Sequence, residues 1–232
     1  MPARRTATPD EGPRRIDFHS HSFLTDGTTS PTEMWNEAEA LAHRALALTD
    51  HISLEDPAPL LRRLHQEARA WDGTPFLPIV GVELTKVPPR RIADAARRAR
   101  RAGAEIVLVH GETIVEHVPA GTNHAAVDSG WVDVLAHPGL IDPKDVALAR
   151  ENGVVLEISA RRGHCFSNGH VVREALAAGA DLVVDSDAHA VSELVPLERA
   201  RALARGAGVP EGELVRVLGT TPERLVRSLR QR

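Results

Sequence analysis

Nine imidazole and carboxylate side chains stand at the ends of successive apolar runs in this chain, a pattern suited to holding several metal ions. His19 and His21 lie in Asp17-Phe18-His19-Ser20-His21, and Asp26 follows in Thr25-Asp26-Gly27. His51 comes after the apolar run 45–48, Glu83 closes 77–82, His110 follows 106–109 and His137 follows 132–136. Asp187 and His189 end Asp185-Ser186-Asp187-Ala188-His189. Alternate residues of a strand face the same way, so His19 and His21 can chelate one ion. A lone histidine is usually a satisfied polar residue, and His-x-His by itself is weak evidence. The combination is what carries weight: six of the twelve histidines, one glutamate and two aspartates fall where strands end. Burying so many titratable groups without a cation would be very costly. Strand ends are also where barrel enzymes keep their chemistry.

The elements that must position these residues are legible in the hydrophobic pattern. Seven short apolar runs, near 15–19, 45–49, 76–83, 105–109, 132–136, 154–158 and 181–185, alternate with segments of helical period. Strands alternating with helices at roughly 30-residue spacing describe repeated strand-helix units and a parallel sheet. Ser30, Pro31 and Glu33 form a helix start with a capping box. Helical spacing extends over 91–102, 142–151, 169–178 and 193–204, with Gly103, Gly153, Gly179 and Gly206 at the expected C-terminal caps. Thr221-Pro222-Glu223 begins one more short helix, expected against the barrel wall. Residues 1–14 read as a flexible tail, and 15–232 as one domain.

Composition narrows the function classes. A chain of 232 residues with 42% hydrophobic content can bury the core of one ordinary domain. A net charge of −4 gives no uniform basic field, which disfavours a long nucleic-acid footprint and points to a small substrate. The single cysteine, Cys165, excludes an internal disulfide framework and suits a reducing cytoplasm. No apolar run reaches the roughly 20 residues that span a bilayer, and no signal-peptide pattern opens the chain.

Motif by motif, the ligand-type residues resemble the polymerase and histidinol phosphatase (PHP) domain family over about residues 15–190. The resemblance rests on His19-Ser20-His21, Thr25-Asp26-Gly27, Leu48-Thr49-Asp50-His51, Gly81-Val82-Glu83, Val109-His110-Gly111, Ala136-His137-Pro138-Gly139 and Ser186-Asp187-Ala188-His189. It implies an α/β fold, a distorted TIM-like (β/α)7 barrel, with a three-metal cluster at the C-terminal ends of the strands. In that pattern His19, His21, Glu83 and Asp187 hold one ion, Glu83, His110 and His137 a second, and Asp26, His51 and His189 a third. Amidohydrolases and TatD-type nucleases share His-x-His on a first barrel strand. Neither accounts for Thr49-Asp50-His51 or for His189, and the metal-bridging lysine of many amidohydrolases has no counterpart at a strand end here.

Three divalent ions, with zinc, manganese, iron and cobalt all compatible with these donors, suit phosphate ester hydrolysis by metal-activated water. Charge facing a phosphate dianion is the dominant need of that reaction. Glu83 and Asp187 would stand at the reacting centre. Beyond the ligands, Arg161, Arg162 and His164 follow the strand 154–158 and are candidates for gripping phosphate, with His164 also a candidate for protonating the leaving group. Solvated arginines and a backbone-bonded histidine are the plain alternatives. The expected activity is hydrolysis of a small phosphomonoester such as L-histidinol phosphate. A phosphodiesterase or exonuclease is the alternative, made weaker by only seven aromatic residues for stacking bases. A non-catalytic module should have lost ligands, and all nine positions keep competent side chains.

Overall fold

A computed structural model describes residues 14–231. The expected tail falls, apart from Arg14, outside the described residues. Seven parallel strands follow one another in sequence order around a nearly closed barrel: β1 (Arg15–Asp17), β2 (His43–Leu48), β4 (Leu77–Leu84), β5 (Ile106–His110), β6 (Val134–Ala136), β7 (Val155–Ser159) and β8 (Leu182–Asp185). A two-residue continuation of β2, here β3 (His51–Ile52), pairs with β4 beyond a break at Thr49-Asp50. The ring closes beyond the strand ends, where His21 donates to the Ala188 carbonyl at 2.7 Å and Asp187 to that of His19 at 2.9 Å. All seven apolar runs of the sequence become barrel strands, so the distorted TIM-like barrel is the observed fold.

The strands are apolar on both faces, as parallel strands covered by helices must be. Ile79, Ile106, Leu108, Val134, Ala136, Val155 and Val183 fill the barrel interior. Their neighbours Val80, Val82, Val107, Val109, Leu135 and Leu182 pack outward. Against them lie the helices α1 (Pro31–Ala40), α2 (Ala58–Ala68), α3 (Ile92–Arg101), α4 (Thr122–Asp128), α5 (Pro143–Asn152), α6 (Asn168–Ala178) and α7 (Leu197–Gly206). The capping box at Ser30 and Glu33 is present, and Gly153 and Gly179 end their helices in the left-handed conformation. Two helix boundaries differ from the sequence reading. Helix α7 starts at Leu197 because Pro196 disfavours helix at the residue before it. Gly206 is the last residue of α7, and the cap is Ala207.

The final helix, α8 (Thr221–Leu229), does not lie on the barrel wall as expected. Leu225 and Val226 join the interior cluster with Ile16, Ala45, Ile79, Ile106 and Val183, so α8 closes the N-terminal mouth. The opposite mouth is left for the site. Among the described residues no helix is long and apolar enough to cross a membrane.

Candidate metal centre

Strand periodicity aims several of the nine side chains. Ile79, Gly81 and Glu83 share the inward face of β4, and Ile106, Leu108 and His110 that of β5. His137 breaks the alternation. Ala136 already faces the interior, so the next residue should face out, but a φ of +28° turns the backbone there. Asp187 also takes a positive φ, +51°. Non-glycine residues held in this region cost of order 1–3 kcal/mol and cluster at functional sites. The turn after His137 is pinned by Gly139, whose φ is +63° and where a Cβ would lie 1.9 Å from the Glu112 carbonyl oxygen.

All nine candidate residues converge. His19 Nε2 stands 3.5 Å from Glu83 Oε1 and 3.7 Å from Asp187 Oδ1, while His21 Nε2 is 3.3 Å from Asp187 Oδ1 and 3.0 Å from His19 Nε2. His137 Nε2 lies 3.5 Å from the same Glu83 Oε1. Asp26 Oδ2 is 3.3 Å from both His51 Nε2 and His189 Nε2. The His110 ring packs edge-on against His137 with centroids 4.4 Å apart. The chamber above them, about 330 Å³, is lined by Asp26, His51, Glu83, His110, His137 and Asp187 among others.

The donors fit divalent ions on their own chemistry. Glu83 Oε1, His21 Nδ1 and His137 Nδ1 are buried and make no hydrogen bond. Burial opposes charge on His19, but the carboxylates of Glu157, Asp187 and Glu83 outweigh it and hold its pKa well above the ordinary value. Burial likewise opposes charge on Glu83, and His19 and His51 nevertheless hold its carboxyl well below the usual range. His51 is raised to about 10 against its burial by Glu83 and Asp26. His21, enclosed and facing His19 and His51, is lowered to about 3, chiefly by burial. Carboxylates packed this way demand positive charge, which protons on His19 and His51 supply and metal ions replace.

Several residues that position the centre escaped the sequence reading. Glu157, fully buried on β7, places Oε2 2.6 Å from His19 Nδ1 and so orients the other ring nitrogen toward the cluster. A charged residue inside the apolar run 154–158 was the available signal. Asp50 accepts from the Ser22 amide (2.8 Å), the Ser22 hydroxyl (2.8 Å) and the Thr25 hydroxyl (2.7 Å), fixing the loop that carries Asp26. Thr85 Oγ1 lies 2.6 Å from His51 Nδ1. Glu116, from the loop after β5, brings Oε1 to 3.2 Å from His110 Nε2 and pairs with Lys86 at 3.3 Å.

Of the three candidates after β7, Arg161 and His164 line the chamber and Arg162 does not. Arg161 lines the same chamber and donates to the Asp187 carbonyl at 3.0 Å. Arg162 is exposed and lines a neighbouring depression with Ser192 and Arg199. His164 is buried within the centre, its ring stacked on His137 at a centroid distance of 4.0 Å and its Nδ1 2.9 Å from the Thr113 hydroxyl. Asn168 is the first residue of α6. It clasps Ser159, accepting from its amide at 3.1 Å and donating to its carbonyl at 2.8 Å.

Comparison with known proteins decides the family, because the PHP domain matches residues 17–166, more than half of the chain. This chain belongs to the PHP domain family. An uncharacterized protein of Methanocaldococcus jannaschii is 39% identical over 219 residues, covering 93% of this PHP domain chain and all of that protein. The DNA polymerase/3'-5' exonuclease PolX of Bacillus subtilis is 26% identical over 82% of the chain, which spans only 36% of PolX. A probable phosphatase of Shewanella sp. strain ANA-3 is 34% identical over 46% of each protein. Among solved structures, histidinol phosphate phosphatase of Lactococcus lactis, crystallised with zinc, L-histidinol and phosphate, superposes with a TM-score of 0.59 at 15% identity, covering 85% of this chain and 95% of that one. The PHP family carries the enzyme class with it, a metal-dependent hydrolase of phosphate esters.

Proposed function

We propose that this PHP domain hydrolyses a small phosphomonoester, of the kind represented by L-histidinol phosphate, to the alcohol and inorganic phosphate. In this reading three divalent ions are held: one by His19, His21, Glu83 and Asp187, a second by Glu83, His110 and His137, and a third by Asp26, His51 and His189. The single observation carrying the reading is the convergence of these side chains, seven of the nine lining one chamber of about 330 Å³ with Arg161 in its wall and His19 and His21 buried behind it. That volume sits at the small end of ligand sites, which favours a compact substrate over a polymer.

When bound, the ions supply Lewis acidity, offsetting the charge of the phosphate dianion and making water acidic enough to react near neutral pH. The rest is done by the chain. Glu83 and Asp187, both buried, set the spacing of the donors around the place where the phosphate sits. Glu157 holds His19, and Thr85 holds His51, so the imidazoles need no reorganisation as charge develops. Arg161 offers a planar guanidinium to the phosphate oxygens from the side of Asp187. Arg162, facing the neighbouring depression, is assigned no contact with a small substrate.

A second reading, hydrolysis of a phosphodiester in a nucleotide or short oligonucleotide, is supported by relatives. Beside PolX, the Ribonuclease P protein component 3 of Methanococcoides burtonii is 25% identical over 90% of this chain and 86% of its own length. Phosphate release from histidinol phosphate, sugar phosphates, nucleotides and short oligonucleotides, repeated with zinc, manganese, iron and cobalt, separates the two. Monoester turnover at least about tenfold above diester turnover upholds the first reading. Diester turnover alone replaces it with the second, and no phosphate release from any substrate with any ion sinks both.

A further inference from the structure

Among the histidines after the barrel strands, His164 is the one whose surroundings do not match a loop residue. It enters from a short 3-10 turn (His164–Ser167) between β7 and α6, yet only 7% of it is exposed. One nitrogen each of His110, His137 and His164 lies within 4.8 Å of the other two. Its ring meets His137 in a stack at 4.0 Å and His110 edge-on at 5.7 Å. Nδ1 is engaged with the Thr113 hydroxyl at 2.9 Å, which leaves Nε2 for the cluster, 3.7 Å from Glu116 Oε1. A hydrogen bond on one imidazole nitrogen that frees the other is the arrangement that metal-ligating histidines use to set tautomer and orientation.

We propose that His164 is a tenth metal ligand, completing a Glu83, His110, His137 and His164 donor set at the second ion. This rests on the proposed ligand assignment and deepens it at one position. The alternative role, protonation of the leaving group, fits the position less well. His164 lines the chamber, but its grouping with two other imidazoles and the Thr113 hydroxyl on its Nδ1 suit ligation better than proton donation. Sharing an ion with His137 requires a side-chain rotation that opens the stack, since stacked rings present their lone pairs side by side. Three imidazoles with one carboxylate form a nitrogen-rich, four-donor set that selects zinc or cobalt over magnesium or calcium. Thr113 becomes a positioning residue for His164.

The test is metal binding by the full-length protein, read apart from activity. Wild type, His164→Ala, His164→Gln and Thr113→Val would be stripped, titrated with zinc, and analysed for bound ions by mass spectrometry. The visible spectrum of the cobalt form would be recorded for each, with circular dichroism checking the fold. The expected result is that both His164 variants lose one ion, or bind it more weakly than the roughly 10–100-fold cost of losing a supporting hydrogen bond. Their cobalt band at that site shifts or disappears. Thr113→Val should weaken the same ion by roughly 10–100-fold. Unchanged stoichiometry, affinity and cobalt spectrum in folded His164→Gln would overturn the proposal while leaving the other nine ligands standing. If the wild type itself takes up no ion, the underlying assignment falls with it.

Discussion

Glu157 Oε2 lies 2.6 Å from Nδ1 of His19, and both side chains are fully buried beneath the candidate metal centre. The carboxylate fixes the ring so that Nε2 faces Glu83 and Asp187. Glu157→Gln should therefore weaken ion binding at the His19 site by roughly 10–100-fold while leaving the other ligands in place. Competition with a zinc chelator measures this, and unchanged affinity would count against the orienting role.

His137 and Asp187 occupy strained backbone positions and point into the chamber. Alanine at either should lower phosphatase activity by at least about 10²–10³-fold, with circular dichroism unchanged because the interior apolar layer is untouched. Activity that survived both substitutions would contradict the proposed cluster.

Glu83 and Asp187 are buried among imidazole donors, which makes ion binding a contribution to stability. An ion present at 100 times its dissociation constant should stabilise the fold by about 3 kcal/mol, which in a domain of this size raises the melting temperature by roughly 6–12 °C. Chelation should remove both activity and this increment, and readdition should restore them. A melting temperature indifferent to metal would be inconsistent with the buried donor set.

Arg161 and Arg162 are neighbours in sequence with different surroundings. Arg161→Ala removes a charge-assisted contact worth roughly 1.5–3 kcal/mol, so KM should rise by roughly 10–100-fold. Arg162→Ala should leave KM within about twofold, since Arg162 faces another depression. Equal effects from the two substitutions would contradict this division.

At the far end of the barrel, His43 is buried on β2, and burial, aided by the nearby Arg15 guanidinium, lowers its pKa to about 4. The ring is thus neutral in the folded chain near pH 7. As pH falls below the unfolded value of about 6.5, the unfolded state takes up this proton first, so stability declines from pH 6.5 down to about 4. One such group contributes about 3 kcal/mol over that window. His43→Gln should flatten the acid limb of a urea stability profile between pH 6.5 and 4, and an unaltered limb would rule His43 out as its cause.

Much of the barrel was legible because its signals are local. Each strand buries apolar residues on both faces, so an unbroken run such as 106–109 marks it without reference to the rest of the fold. The candidate metal centre was legible for a related reason, since charged and imidazole groups at the ends of such runs need a partner inside the fold. Glu157 was harder to see because one carboxylate inside an apolar run does not reveal which histidine it faces, and Asp50 because its partners come from a different loop. The position of α8 was misread because a short amphipathic helix carries no mark distinguishing a barrel wall from a barrel mouth.

Residue spacing along the chain marked an α/β chain of strand-helix units with donor-type residues at the strand ends, and the family resemblance carried by those residues implied the barrel, the metal dependence and the class of reaction. Only the tertiary structure decided which donors meet, because contacts between His19 and Glu157, or His164 and Thr113, join segments far apart in sequence through the curvature of the barrel. It also separated Arg161 from Arg162. Their order along the chain is the same in any fold, but only the turn after β7 directs one guanidinium into the chamber and the other away from it.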